Sequence, residues 1–298
     1  MLLLITGSAD GTSDRIVSQI GEGVFRFNYD LWRDYDVTVT PDYWSIKNPL
    51  GHKIDSESAS ACFWWKALSY FPGATDRHVK AEVKYFMRDL YGWFQSRGMA
   101  KGNPPEYHNT FGKMTILGKA KQYFRVPETA FSIGLNNLNH LNENLIVKSM
   151  SSEISDEDSV LMTTEIPDLK SLDPQFPWFI QDKIESLWDV TVFLCNGAIF
   201  AFKRSREELS GVDWRAEQNF KFEEQEWFPF ELASDNAANL KKFAQDLGLE
   251  FGRFDFMSDR SNLEELYFLE VNASGQWVFL DIENRYGLLK AVTDWLKN

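Results

Sequence analysis

The stretch WDVTVFLCNGAIFAFKR, residues 188–204, limits most strongly what this chain can fold into. Asn196-Gly197 is the pair that favours a type I′ turn, whose left-handed residues match the twist of two antiparallel strands. Apolar residues alternate on both sides of it, so the segment is a hairpin with one face in a core. A two-residue turn also fixes the register. Thr191 then stands across from Phe202, and Arg204 falls on the same sheet face. Further along, EFGRFDFM and ELYFLEVN look like a second pair of strands.

The rest of the chain alternates strands and helices. MLLLIT predicts a buried first strand, followed by a Gly-Ser turn and a short helix near Ser13–Ile20 that Gly21 ends. VFRFNYD alternates as a second strand with Arg26 and Asn28 on one face, and DVTVT and YWSI add strand material. A long helix is expected over about Asp76–Ser96, with Val79, Val83, Phe86, Leu90 and Trp93 as its buried stripe. Gly98, Gly102 and the NPP run break the chain there. A second helix is expected at about Thr110–Phe124, then a strand in ENLIVKSMS and an acidic, polar loop in SSEISDEDS. Ser234 is placed to cap a helix that Gly248 terminates, and a final helix carries Leu288, Leu289, Val292 and Trp295. The fold class is mixed α/β (α+β).

Within ELYFLEVN an apolar strand carries an anion and an amide. Side chains alternate across a strand, so Glu270 and Asn272 share one face while Leu269 and Val271 take the other. Their Cα atoms then lie about 6.5–7 Å apart, and Asp255 on the preceding strand adds a third hard oxygen if the strands pair. Such donors suit Mg²⁺, which keeps waters and takes its other ligands from phosphates. The competing reading is a solvated sheet face.

Composition narrows the partners. With 31 Lys and Arg against 44 Asp and Glu, the 298-residue chain carries a formal charge of −13. That surface repels phosphate backbones and anionic lipid, which argues against nucleic acid and membrane as partners. No apolar run approaches the ~20 residues that span a bilayer. The two cysteines, Cys62 and Cys195, are far apart and lack metal-like spacing, so the expected setting is reducing and cytoplasmic. The four histidines are scattered, and no Ser–His–Asp or Cys–His nucleophile is evident.

The segment LGLEFGRFDFM…LYFLEVNASGQWVFLDIE resembles the C-terminal signature of ATP-grasp ligases. It is most similar to the microviridin, or graspetide, branch that matures ribosomally made peptides. Supporting stretches follow in order: KMTILGKAKQYFRVPET, LIVKSMS, FIQDKIES, the hairpin and VDWRAE. The start, ADGTSDRIVSQIGEGVFRFNYD, resembles that branch's N-terminal domain. The resemblance therefore covers nearly the whole chain. It implies a pre-ATP-grasp α/β domain over 1–105, a central ATP-grasp subdomain over 106–186 and a C-terminal catalytic subdomain over 187–298.

The resemblance also implies roles. Asp255, Glu270 and Asn272 would hold two Mg²⁺ ions that bridge the ATP phosphates, and Lys148 and Lys113 would reach those phosphates. Backbone groups of Gln181, Asp182, Lys183 and Ile184 would meet the adenine edge, with Asp182 or Glu185 accepting from the ribose hydroxyls. Asp189 joins this nucleotide-binding set. Arg215 matches an arginine that faces the reacting phosphate or carboxylate. One departure stands out: relatives usually carry Asp-x-Arg-Val on the hairpin's first strand, and here Thr191 holds the arginine's place. Arg204, one diagonal step away, is the expected substitute.

The activity implied is ATP-dependent joining of a carboxylate to an amine or hydroxyl through an acyl phosphate. The partner would be a precursor peptide, with a leader and an acidic core containing Ser, Thr or Lys. Arg77, Lys80, Lys84 and Arg88 could meet such a peptide, or could be a solvated helix face. Two other readings stay open. One is a glutamate-adding or small-molecule carboxylate–amine ligase; the other is a nucleotide- or peptide-binding protein without ligase activity, which Thr191 motivates. The oligomeric state also stays open, a homodimer being common among such ligases.

Overall fold

The computed structural model describes residues 1–66, 77–104, 107, 111–149, 163–207, 209, 211–212 and 227–298. Strand β1 (Leu2–Thr6) is buried on both faces, as its unbroken apolar run requires. It lies parallel between β2 (Val24–Asn28) and β6 (Ala61–Trp64), and β7 (Ala100–Lys101) extends the sheet in the order β2-β1-β6-β7. Helix α1 (Gly11–Ile20) starts two residues earlier than Ser13, because Asp10 caps it by accepting the Ser13 N–H at 2.7 Å. Arg26 and Asn28 share a face as expected, with Arg26 Nε donating to Asn28 Oδ1 at 2.7 Å. Three short antiparallel strands, β3 (Asp36–Val39), β4 (Trp44–Lys47) and β5 (Lys53–Asp55), form a meander beside this sheet. Helix α2 (Arg77–Gln95) buries Val83, Met87, Leu90 and Phe94 against Leu3, Ile5 and Trp44. Its stripe is centred on those four, with Val79, Phe86 and Trp93 only partly buried along its edge.

Helix α3 (Lys113–Ala120) is shorter than expected. Gly112 is its extended N-cap, and after Ala120 the chain tightens into a turn in which Tyr123 N–H bonds the Ala120 carbonyl. Next comes an antiparallel sheet in the order β10-β9-β11-β8, built from β8 (Thr129–Ser132), β9 (Leu145–Lys148), β10 (Thr164–Ile166) and β11 (Trp178–Asp182). The hairpin forms as its turn dictates: β12 (Trp188–Cys195) pairs with β13 (Ala198–Ser205), with Asn196 at φ 45° and Gly197 at φ 81°. Thr191 stands opposite Phe202. A five-stranded sheet follows in the order β14-β13-β12-β15-β16, with β14 (Phe228–Pro229), β15 (Phe251–Ser258) and β16 (Leu266–Asn272). Helix α4 (Ser234–Asp246) covers one face of it through Leu240, Phe243 and Ala244. Ala233, not Ser234, is its N-cap, so the serine lies inside the first turn and makes no cap.

Helix α5 (Leu288–Lys297) returns to the first sheet and packs against α1 and β6. Its Trp295 joins a cluster that contains Leu2, Leu4 and Phe63 from the first sheet, Phe193 and Phe251 from the five-stranded sheet, and Trp277 from the segment after β16. Gly102 is glycine for two reasons there: φ is +78°, and a Cβ would sit 2.8 Å from the Phe63 ring. Beside it, the buried Asn103 amide donates to the Phe251 and Ala273 carbonyls at 2.5 and 2.7 Å, bolting the connecting segment to β15 and the end of β16. Cys62 and Cys195 are free and buried, and burial pushes the Cys195 thiol up to about 12. No described helix is long and apolar enough to cross a membrane.

Arg215, the acidic stretch 151–159, Asp76, Thr110 and the Arg77 side chain lie outside the described residues. Lys84 and Arg88 are exposed on α2, with Arg88 over the Tyr85 ring.

Candidate functional site: a cleft between two sheets

The five-stranded sheet spends its two faces differently. Val190, Val192 and Phe254 pack onto α3 and α4, whereas Asp189, Thr191 and Asp255 point the opposite way. At one end that second face is sealed by Phe193, Phe251 and Trp277. At the other end it opens into a cleft roofed by Ile146, Lys148 and Gln181 from the preceding sheet. Thr191, Arg253, Asp255 and Glu270 form its floor.

Asp255 pairs with Glu270 and Arg253 with Asn272, so the three expected oxygen donors do share one face. One feature departs from simple alternation. The register slips between Asp255 and Phe256, which leaves Leu269 as an extra residue on β16. This β-bulge puts Leu269 in the cleft beside Glu270, while Phe268 and Val271 stay in the core. Leu269 therefore does not share Val271's face.

Asn272 Nδ2 donates to Asp255 Oδ2 at 3.0 Å and to Glu270 Oε1 at 3.2 Å, so all three side chains reach one point. Turning that amide about would present its oxygen there instead. Among the described residues no three His, Cys, Asp or Glu side chains converge; the set is two carboxylates plus an amide. That set fits Mg²⁺, which takes one or two protein carboxylates and completes its shell from water and phosphate.

The charges around the pair are unequal. Burial raises the Asp255 carboxyl, and repulsion from Glu270 adds to it, against the attraction of Arg253 and the Thr191 hydroxyl. Burial acts upward on Glu270 too, but Lys148, Lys113, the Asn272 amide and Arg253 outweigh it and hold that carboxyl below its ordinary value. Lys113, at the start of α3, lies 3.8 Å from Glu270 Oε2 and 3.5 Å from the Ser149 carbonyl. Lys148, at the end of β9, sits over the Phe179 ring and lines the cleft. Two ammonium groups from two different elements thus converge on the carboxylate pair.

The remaining expected residues lie along the rim. Asp182 lines the cleft; its buried carboxylate accepts from Asn142, from its N–H at 2.9 Å and from its side-chain amide, and so anchors a loop. Glu185 is exposed and lies 3.7 Å from Lys183. The Asp182 and Lys183 N–H groups bond the Glu128 and Asn144 carbonyls. Ile184 is the next residue along the cleft edge. Asp189 lines the cleft between Arg204 at 3.1 Å and Arg206 at 2.7 Å.

Arg204 is 5% exposed, pairs across the hairpin with Asp189 and is not among the cleft-lining residues. Its guanidinium is committed to Asp189. Among the described residues, the guanidinium groups that line the cleft are those of Arg206 and Arg253, neither singled out in the sequence. The signal for Arg253 was present: it stands two residues before Asp255 on one strand and so must share its face.

The Ser274-Gly275 break after β16 has a steric cause. A Cβ on Gly275 would lie 2.7 Å from the Asn272 Cβ and 3.2 Å from the Arg253 Cβ, both on fixed backbone. Replacing Gly275 with Ala is expected to cost about 1–3 kcal/mol in thermal unfolding, as overpacking does. It is also expected to weaken Mg²⁺-ATP binding in calorimetry, because Asn272 must move. Unaltered affinity would show that Asn272 is no ligand.

No protein-family model and no curated protein matches the sequence. Solved structures do. A RiPP-associated ATP-grasp ligase from Chryseobacterium gregarium, in complex with ADP and a leader and core peptide, superposes with a TM-score of 0.81 at 21% identity, over 99% of this chain and 96% of that one. The macrocyclase MdnC from Microcystis aeruginosa MRC, bound with precursor peptide MdnA, gives 0.79 at 20% identity over 100% of both chains. The ATP-grasp ligase PsnB, complexed with minimal precursor, Mg and ADP, gives 0.70 at 14% identity, over 99% of this chain and 96% of that one. The fold of this chain, from its first strand to its last helix, is the ATP-grasp fold.

Proposed function

We propose that this protein is an ATP-dependent ligase that forms ester or amide crosslinks between side chains of a ribosomally made precursor peptide. The observation that carries the proposal is the convergence of Asp255, Glu270, Asn272, Lys113 and Lys148 at one end of the cleft between the two sheets. The three solved structures that share the fold over nearly their whole length are complexes with ADP, a precursor peptide or both, and one of them also contains Mg.

In this reading the adenine lies along the end of β11 and the residues after it, where Gln181, Asp182, Lys183 and Ile184 line the cleft. The terminal phosphates lie toward β15 and β16, where Lys148 and Lys113 neutralise their charge. Mg²⁺ held by Asp255, Glu270 and Asn272 would screen the phosphates from an approaching anion. A carboxylate oxygen of a peptide Asp or Glu attacks the γ-phosphorus; the bond to the bridging oxygen breaks and ADP leaves with that electron pair. A Thr or Ser hydroxyl, or a Lys amine, then adds to the acyl carbon and loses its proton as phosphate departs. The protein positions the groups and cancels charge, because two anions must meet.

The test is co-expression with small Ser/Thr/Lys- and Glu/Asp-rich peptides encoded beside the gene, read by mass spectrometry. A product lighter by one water per crosslink, with stoichiometric ADP release, is the expected outcome. Nucleotide binding without any mass loss across the neighbouring peptides would refute the ligase reading.

A further inference from the structure

Among the described residues, two cations other than lysine, Arg206 and Arg253, face the cleft, and Arg253 is held on several sides. Arg253 Nε and Nη2 grip Asp255 side-on at 3.0–3.3 Å, and Nη1 donates to the Gln276 carbonyl at 3.0 Å. The face of the Phe279 ring lies 5.8 Å from the guanidinium carbon. Gln276 is itself fixed, since its side chain accepts from the Thr12 hydroxyl at 2.5 Å and donates to Asp10 Oδ2 at 3.3 Å. The guanidinium is therefore locked in position before any substrate arrives.

Those bonds use three of its five N–H groups. A side-on grip on a carboxylate leaves the outer Nη edge, the edge that matches a phosphoryl or carboxylate oxygen pair. Arg253 lines the cleft on the same face as Asp255 and Glu270, diagonal to Thr191 across the β12–β15 ladder. The Thr191 hydroxyl donates to Asp255 Oδ1 at 2.7 Å, the same oxygen that Arg253 Nε reaches at 3.1 Å. Residues 191 and 253 thus deliver their polar groups to one spot from adjacent strands.

We propose that Arg253 contacts the terminal phosphoryl group of ATP, supplying from β15 the guanidinium that position 191 on β12 lacks. This rests on the ATP-dependent reading above. A planar fork aimed at the γ-phosphoryl oxygens distinguishes ATP from ADP, whereas a residue that only steadies Asp255 affects both nucleotides alike.

The test is calorimetric titration, in Mg²⁺, of ADP and of a non-hydrolysable ATP analogue into wild type, Arg253→Leu, Arg253→Lys and Thr191→Arg/Arg253→Leu. Arg253→Lys keeps a cation beside Asp255 and so safeguards folding, which melting curves verify. Both single variants are expected to lose about 10- to 100-fold in affinity for the analogue, the scale of one to two charge-assisted hydrogen bonds, with ADP changed less than about 3-fold. The double variant is expected to recover the preference for the analogue. An equal loss for both nucleotides, or no loss for either, overturns the proposal and leaves the ligase reading standing. Wild-type protein that binds neither nucleotide sinks both.

Discussion

Replacing Glu270 with Gln is expected to remove the Mg²⁺ dependence of nucleotide binding and to lower turnover about 1000-fold. The reason is electrostatic. Glu270 is the carboxylate that two lysines hold ionised, with Lys113 3.8 Å away and Lys148 the leading attractive charge. The other carboxylate, Asp255, is already engaged by Arg253, Thr191 and Asn272. A glutamine keeps the shape and the contact with Asn272 but cannot balance a divalent cation. Losing roughly 4 kcal/mol of charge stabilisation in the transition state, at about 1.4 kcal/mol per tenfold, gives the stated factor. Calorimetry with and without Mg²⁺ measures the first effect, and ADP release with a modified peptide the second. A variant whose ATP affinity still rises with Mg²⁺ would show that the cation binds elsewhere.

The same substitution has a signature in stability. Glu270 has a folded-state carboxyl below its ordinary 4.5, so its ionised form stabilises the fold. That contribution is complete above the unfolded value and disappears as pH falls through the lowered folded one. Wild type is therefore expected to be the more stable of the two at neutral pH, with the difference closing on acidification below the ordinary glutamate range. Paired denaturant titrations between neutral and acidic pH measure it.

Strand pairing was readable where short-range geometry decides it. The Asn196-Gly197 turn forces the register that sets Thr191 against Phe202, and the alternation of EFGRFDFM and ELYFLEVN placed Asp255, Glu270 and Asn272 on one face. The bulge at Leu269 was not readable, since an extra residue leaves no mark in an apolar run. Glu270 and Asn272 still share a face because both lie on the same side of that bulge. A partner far along the chain was equally hidden: Asn142, which donates to the Asp182 carboxylate, is 40 residues away. The ion pair of Arg204 was not hidden, since the register that sets Thr191 against Phe202 also sets Asp189 against Arg204. Arg253 was overlooked in the same way: the period-two argument made for Glu270 and Asn272 applies to it unchanged.

Shortening Phe251 to Ala is expected to cost about 3–5 kcal/mol, as removal of a fully buried ring does, and to lower the melting temperature by on the order of 10 °C. Phe251 is 1% exposed and sits where the two ends of the chain meet. Its ring contacts Phe63 from the first sheet, Trp65 just after β6, Phe193 from β12 and Trp295 from α5, with centroids 4.9–5.9 Å apart. The buried Asn103 amide holds the carbonyl of the same residue. Because this one cluster ties the first sheet to the sheet that carries Asp255, a cavity there weakens both together. Hydrogen exchange is expected to lose protection in β1 and in β12 by similar factors, although the mutated residue lies in neither. Protection lost from β12 and β15 alone would mean that the first sheet folds independently of the cleft. Joint loss means that the pocket end of β15, only two residues beyond Phe251 at Arg253, takes its rigidity from the N-terminal sheet packed behind it.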